Sequence, residues 1–277
     1  MTITTRFAPS PTGLLHLGHA YAALYAASRG ARFLVRIEDI DGTRCKPAYE
    51  TAILTDLAWL GLSWEEPVLR QSGRMAAYGE ALARLRAQDL LYPCFCTRAE
   101  IAAEIERAAP HGPEGAHYPG LCRHLSQERR ADKIAAGMAY ALRLDSAKAA
   151  AQCGPLSFAE SGEGQSGRIA VDPLLFGDIV LARKETPSAY HLAVVVDDAF
   201  QGVSLVTRGA DLLPATHIQR VLQALLGLPE PAYAHHRLIL DEHGKKFSKR
   251  DRAVTLQSLR EKGETPGAIR ARLRLPQ

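Results

Sequence analysis

The chain has 277 residues, 47% of them hydrophobic and 23% charged. That is enough apolar material for one large α/β unit with an insertion, or for two modest domains, and it argues against a disordered chain. There is no run of eighteen apolar residues, and Met1 to Arg6 lack the basic-then-apolar layout of a secretory signal, so a cytoplasmic protein without a membrane span is expected. The net charge of +4 is unevenly placed: residues 237–277 carry eleven Lys/Arg and five Asp/Glu, hence +6 (11 − 5), leaving −2 (4 − 6) for the rest. A basic face of this kind suits phosphate groups or RNA.

Ile3–Ala8 is predicted to be a short strand, followed by the turn Pro9-Ser10-Pro11-Thr12-Gly13. Leu17–Ser28, rich in Ala and Leu, is predicted to be a buried helix ending near Gly30. Arg32–Ile37 reads as a second strand and Pro47–Leu60 as a helix stopped by Gly61. This alternation implies a parallel sheet with right-handed crossovers. From Pro93 to Glu185 the character changes, with cysteines, a helix near Arg98–Ala109, loops rich in Gly, Pro and His, and strands at Ala139–Leu144 and Asp178–Arg183. Alternation then resumes. His191–Val196 and Val203–Arg208 read as strands, Leu212–Leu226 as a helix ending at Gly227, and Arg237–Leu240 as a strand before a basic loop. The expected organisation is a catalytic first half over 1–92, an inserted subdomain over 93–185 and a resumed second half over 186–277.

Three constellations carry chemistry. His16-Leu17-Gly18-His19 lies at a predicted helix start, where unpaired N–H groups favour phosphate and Gly18 leaves room for a nucleotide base against the backbone. Gly244-Lys245-Lys246-Phe247-Ser248-Lys249-Arg250 offers four cations on a loop able to close over a pyrophosphate. Cys94-x-Cys96 with Tyr118-x-x-x-Cys122 offers three thiolates and a further ligand to a tetrahedral zinc. The five cysteines are odd in number, which favours metal over a disulfide framework. Spacing alone leaves Tyr118, His117 and His124 all open as the fourth ligand.

An early His-x-Gly-His helix start paired with a late Lys-Phe-Ser-Lys-Arg loop resembles the class I aminoacyl-tRNA synthetases, whose signatures are HIGH and KMSKS. The stretches Arg6-Phe7-Ala8-Pro9-Ser10-Pro11-Thr12-Gly13, Arg36 to Asp41, Val195 to Asp198 and Val206 to Leu213 resemble the glutamyl/glutaminyl branch. The resemblance implies an α/β fold with a Rossmann-like parallel sheet and an inserted zinc-binding subdomain. It also implies L-glutamate held by Arg6, Phe7, Ala8, Pro9, Ser10, Glu38, Tyr190 and Arg208, with the arginines on carboxylates and Glu38 facing the ammonium. ATP would be contacted by His16, Gly18, His19, Lys246, Ser248 and Lys249, with His16, His19 and Lys249 catalytic and Mg²⁺ accompanying the nucleotide. One structural Zn²⁺ would sit on Cys94, Cys96, Tyr118 and Cys122.

The chain ends soon after the basic loop, as in the truncated glutamyl-queuosine tRNA(Asp) synthetases. This predicts transfer of glutamate to the queuosine base of tRNA(Asp) by a monomer. The alternatives are a minimal glutamyl-tRNA synthetase charging a 3′ end, a nucleotidylyltransferase, which also uses an HxGH helix start, and a non-catalytic RNA-binding relative. The Arg6/Glu38/Arg208 set fits an amino acid better than a phosphorylated substrate, and intact His16, His19 and Lys249 disfavour an inactive relative.

Overall fold

The computed structural model describes residues 2–108, 111–113, 115–184, 186, 188–240 and 254–275. The first half runs β1 (Thr4–Phe7), α1 (Leu17–Arg29), β2 (Arg32–Ile37), α2 (Pro47–Trp59), β3 (Glu65–Arg70), α3 (Met75–Ala87) and β4 (Leu91–Cys94). Then come α4 (Arg98–Ala108), the short pair β5 (His111–Gly112) and β6 (Gly115–Ala116), α5 (Gln127–Ala135), β7 (Ala141–Leu144), α6 (Ser146–Cys153), β8 (Ser157–Ser161), β9 (Ser166–Ala170) and β10 (Val180–Ala182). The last part is α7 (Tyr190–Phe200), β11 (Leu205–Gly209), α8 (Leu213–Leu226), β12 (Ala232–His236), α9 (Leu256–Glu261) and α10 (Pro266–Leu273).

Local chemistry accounts for many of the boundaries. Pro47 opens α2 where its missing N–H costs nothing, and Gly61 follows that helix with φ +75. Gly227 ends α8 in the left-handed region, while Ser126, Thr255 and Thr265 cap α5, α9 and α10 with their hydroxyls.

β1, β2 and β3 form a parallel sheet. β11, β12 and β8 form a second parallel set, with β9 antiparallel at its edge. The two sets meet where β1 lies beside β11: Ser204 donates N–H to the Thr4 carbonyl at 3.1 Å, and Thr4 donates to Ser204 Oγ at 3.0 Å. The strand order reverses there, because β2 and β3 continue on one side and β12 and β8 on the other. In open α/β sheets ligands bind beyond the carboxyl ends of strands at such a point. The stretch 93–185 serves two sheets. β4, β7 and β10 form a separate antiparallel sheet, whereas β8 joins the parallel set through β12.

Two apolar cores flank the sheet. One gathers α1, α2, β1 and β2 with Leu256, Leu259, Ile269 and Leu273 of the last two helices. The other gathers α3, α6, α7 and α8 with β4, β7 and β10. Among the described residues no helix is long and apolar enough to cross a membrane.

Two expected elements need correction. His191–Val196 is part of α7, not a strand. Its β-branched run favours a strand, but eleven residues without Gly or Pro suit a helix, and packing in the core overrides the local preference. The strand placed at Arg237–Leu240 is instead Ala232–His236, whose two buried histidines do not look apolar in sequence. Among the elements the sequence did not signal, β3 and α3 follow Gly61.

Asp56 of α2 ties α9 into place. Its Oδ1 accepts from Arg260 Nη1 at 2.9 Å, while Oδ2 is buried without a hydrogen-bond partner among the described residues. Burial lifts its carboxyl from 3.8 to about 6, against the pull of Arg260. The folded state therefore holds this proton more tightly than the unfolded chain does. The resulting stabilisation is complete below about pH 4 and is lost as pH rises through about 6. Asp56→Asn keeps an acceptor for Arg260 and cannot ionise, so its unfolding free energy relative to wild type should rise between pH 4 and pH 7. A difference that stays constant with pH in urea unfolding contradicts this.

Candidate active site

Arg6 projects from β1 and is buried. Its Nε and Nη2 donate to the two oxygens of Asp198 on α7, at 2.9 and 3.3 Å, and Nη1 donates to the Thr207 carbonyl at 3.0 Å. Arg36, wholly buried on β2, gives Nη1 to the same Asp198 at 2.7 Å and to Gln201 Oε1 at 3.0 Å. Its Nη2 approaches Glu38 Oε1 at 3.4 Å. Burial acts to raise the Asp198 carboxyl, but the two guanidiniums outweigh it and hold the group below its ordinary value. Glu38 goes the other way: burial pushes it up despite Arg36 and Arg6. A carboxylate left under-compensated in this way is a favourable place for an ammonium.

Glu38, Ser10 and Tyr190 line one cavity of about 110 Å³, together with Gln71, Arg44 and Arg183. The charges of Arg208, Glu38 and Arg6 all act on the Tyr190 phenol, whose pKa burial raises. Thus three residues assigned by resemblance line one cavity, and two more, Arg6 and Arg208, act electrostatically on one of them. Phe7 faces the core, and the Pro9 carbonyl accepts Glu38 N–H at 3.0 Å, which holds the turn after β1 against Glu38. Arg208 ends β11. Its Nη1 donates to Gln219 Oε1 and its Nη2 to Thr216 Oγ1, both at 2.7 Å, and its Nε donates to His235 Nε2 at 3.1 Å.

His16 caps α1. Its Nδ1 accepts from Gly18 N–H at 3.1 Å, while His16 N–H donates to His19 Nδ1 at 3.2 Å, and the two rings stack 3.8 Å apart. Since Nδ1 accepts in both rings, each neutral imidazole carries its proton on Nε2. Gly18 has a local reason as well as the expected one: a Cβ there would lie 3.1 Å from the His16 ring. Lys246, Ser248 and Lys249 lie outside the described residues. Just after that stretch, Thr255 pairs antiparallel with His16, and Leu256 N–H donates to the Leu15 carbonyl at 2.8 Å.

Cys94, Cys96 and Cys122 bring their sulfurs within 4.8 Å of one another, with Cys96 and Cys122 at 3.4 Å. The Tyr118 hydroxyl joins them, 3.4 Å from Cys96 Sγ, and accepts Cys122 N–H at 2.8 Å. His117 turns its Nε2 to the Leu175 carbonyl at 3.0 Å, and His124 is exposed. Burial, with the neighbouring thiols, pushes Cys96 up to about 12. Three sulfurs this close suit a tetrahedral ion, whose S–S edge is about 3.8 Å for Zn–S bonds of about 2.3 Å.

The sequence did not assign roles to Asp198, Asp197 or Arg36, although all three lie in its quoted motifs. Asp197, wholly buried, accepts from Tyr78 Oη at 2.6 Å, Gln71 Nε2 at 3.0 Å and Arg74 Nε at 3.2 Å. Two adjacent buried aspartates in an apolar run were the available signal, since an uncompensated buried charge is costly.

Sheet order and the position of the cavity together mark a doubly wound α/β domain of the kind that binds ligands beyond its strand ends. The chain belongs to the tRNA synthetases class I (E and Q), whose catalytic-domain profile matches residues 2–276. It is 48% identical to the glutamyl-Q tRNA(Asp) synthetase of Rhodobacter capsulatus, over 96% of this chain and 98% of that one. It is 46% identical to that of Nocardia farcinica, over 97% of this chain and 82% of the other. Its fold is similar to a glutamate tRNA ligase from Elizabethkingia meningosepticum solved in complex with its amino acid, with a TM-score of 0.73 and 29% identity. That likeness covers 91% of this chain and 52% of the ligase, so the chain spans about half the ligase's length.

Asp198→Asn leaves two buried guanidiniums facing a neutral amide. Urea unfolding should show a loss of about 3–5 kcal/mol; a loss below about 1 kcal/mol contradicts the role given to Asp198.

Proposed function

We propose that this protein activates L-glutamate with ATP and transfers it to the queuosine base of tRNA(Asp). The observation that carries the amino-acid half is that Glu38 and Tyr190 line one small cavity while the charges of Arg6, Arg208 and Glu38 all act on Tyr190. Glutamate presents two carboxylates and one ammonium, and this site offers two guanidiniums and one under-compensated carboxylate. Arg6 keeps donors to spare: Asp198 takes Nε and one Nη2 proton and Thr207 takes one Nη1 proton, so each terminal nitrogen retains an N–H for a substrate oxygen.

In the first step an α-carboxylate oxygen attacks the α-phosphorus of ATP. The bond to the bridging oxygen breaks, and glutamyl-adenylate and pyrophosphate form. His16 and His19 sit at the positive end of α1 with their protons on Nε2, so both donate toward a triphosphate while the helix keeps Nδ1. The pairing of Thr255 with His16 brings the chain that follows Lys246, Ser248 and Lys249 to the helix start, which supports their assignment to ATP. In the second step the glutamyl group passes to the queuosine base and AMP leaves. Similarity over nearly the whole length of relatives named for that reaction supports it.

Mg²⁺ would accompany ATP and neutralise its phosphate charge. Zn²⁺ would be held by Cys94, Cys96, Cys122 and Tyr118, and its part is structural, tying β4 to the Tyr118–Cys122 turn within the 93–185 insertion. We expect a monomer working in the cytoplasm, where ATP and tRNA meet.

Pyrophosphate exchange should depend on glutamate, and Arg208→Ala should raise the KM for glutamate by about 30–1000-fold, the effect of removing about 2–4 kcal/mol. Exchange supported by other amino acids but not by glutamate contradicts the assignment. Glutamate should be transferred to queuosine-containing tRNA(Asp) and not to the same tRNA without queuosine; charging of a tRNA(Glu) 3′ end would favour a minimal glutamyl-tRNA synthetase instead. Elemental analysis should find about one zinc per chain, lost together with folding of the insertion on chelation; a metal-free protein with unchanged structure contradicts the zinc site.

A further inference from the structure

Behind Arg208 lies a buried pair that the reaction does not use directly. His235, at the end of β12, is 3% exposed, and Glu160 on β8 is 4% exposed. Glu160 Oε2 meets His235 Nδ1 at 2.6 Å, and Glu160 Oε1 accepts two backbone N–H groups at 2.8 Å each, from His235 and Gly162. On the far side of the ring, Nε2 accepts from Arg208 Nε at 3.1 Å and lies 3.4 Å from the Thr216 hydroxyl.

A guanidinium has no acceptor, so the atom that faces Arg208 Nε–H must be a lone pair. The ring proton therefore sits on Nδ1, where Glu160 receives it. Burial acts to raise Glu160, but its hydrogen bonds outweigh this and keep it ionised; burial and the Arg208 charge hold His235 neutral. The chain is shaped to allow this contact. A Cβ at Gly162 would stand 2.1 Å from the His235 carbonyl oxygen and 2.6 Å from Glu160 Oε1, so only glycine lets the β8–β9 turn close over the carboxylate.

We propose that Glu160 and His235 are positioning residues for Arg208. The carboxylate fixes the imidazole tautomer, the imidazole fixes the Nε edge of the guanidinium, and one N–H on each terminal nitrogen is thereby aimed for a substrate carboxylate. This rests on Arg208 being a glutamate ligand, as proposed above.

Glu160→Gln separates this role from simple packing. An amide oxygen can accept the two backbone N–H groups or the Nδ1 proton, but not both. With the backbone satisfied, the amide NH₂ meets Nδ1, which drives the ring proton to Nε2 and against Arg208. His235→Gln presents an amide oxygen to Arg208 without any tautomer to set.

The test combines nitrogen NMR of the His235 ring with KM values for glutamate and for ATP in pyrophosphate exchange. The wild-type ring should carry its proton on Nδ1, and Glu160→Gln should move it to Nε2. The glutamate KM of Glu160→Gln should rise about tenfold, with the ATP KM within about twofold. The double variant Glu160→Gln/His235→Gln should resemble His235→Gln alone rather than the product of both defects.

A wild-type proton on Nε2, which needs no variant to detect, overturns the inference. So do an additive double variant and an ATP KM that moves with the glutamate KM. If Glu160→Gln leaves the glutamate KM unchanged while Arg208→Ala raises it, the positioning role fails and the glutamate reading stands. If Arg208→Ala also leaves it unchanged, the glutamate reading itself fails.

Discussion

A single carboxylate between two buried guanidiniums holds the site together. Asp198 accepts from Arg6 and from Arg36, partners 192 and 162 residues away in sequence. Without it Arg6 would lose its ion-pair partner and Arg36 would keep only the longer contact with Glu38, and an unpaired charge in the interior costs several kcal/mol. The contact joins β1 and β2 to α7, and the adjacent Asp197 draws Gln71, Arg74 and Tyr78 onto the same helix. Two consecutive residues of α7 therefore lock the early part of the chain to the late part, with the cavity lined by Gln71, Glu38 and Tyr190 beside them.

Counted together, the charges of this region nearly cancel. Arg6, Arg36 and Arg208 face Asp198, Glu38 and Glu160. On the reading proposed here, selectivity for glutamate comes from the direction of donors and acceptors rather than from net charge. Arg6 and Arg208 are each held at all three nitrogens by protein acceptors, with one N–H left on each terminal nitrogen, so little side-chain freedom is lost when a substrate binds. Preorganisation of this kind suits a reaction in which the protein contributes mainly placement and charge stabilisation.

The sheet explains why these groups meet. Arg6 and Arg208 come from β1 and β11, neighbours across the point where strand order reverses, and His16 opens the helix that follows β1. A separate antiparallel sheet, built from β4, β7 and β10, carries the cysteine cluster at the end of β4.

Much of this was legible in sequence where the signal is local. β2 was placed to the residue, and α1, α2 and α8 to within one or two residues, because Pro, Gly and capping residues mark their ends. α7 is not legible because its β-branched run favours a strand until core packing decides, and β12 is displaced because buried histidines resemble surface residues. Arg6, Glu38, Tyr190 and Arg208 are assigned through the resemblance. Their supports are not, since Asp198 and Glu160 act on partners brought close only by the fold, and no spacing along the chain encodes a contact between residues 160 and 235.

The central claim is that Arg6, Glu38 and Arg208 read the three charged groups of glutamate, and a crystal structure with L-glutamate bound tests it most directly. One carboxylate should lie within hydrogen-bond distance of each arginine and the ammonium against Glu38, with the Asp198 and His235 contacts kept. A bound glutamate that touches neither guanidinium would contradict it.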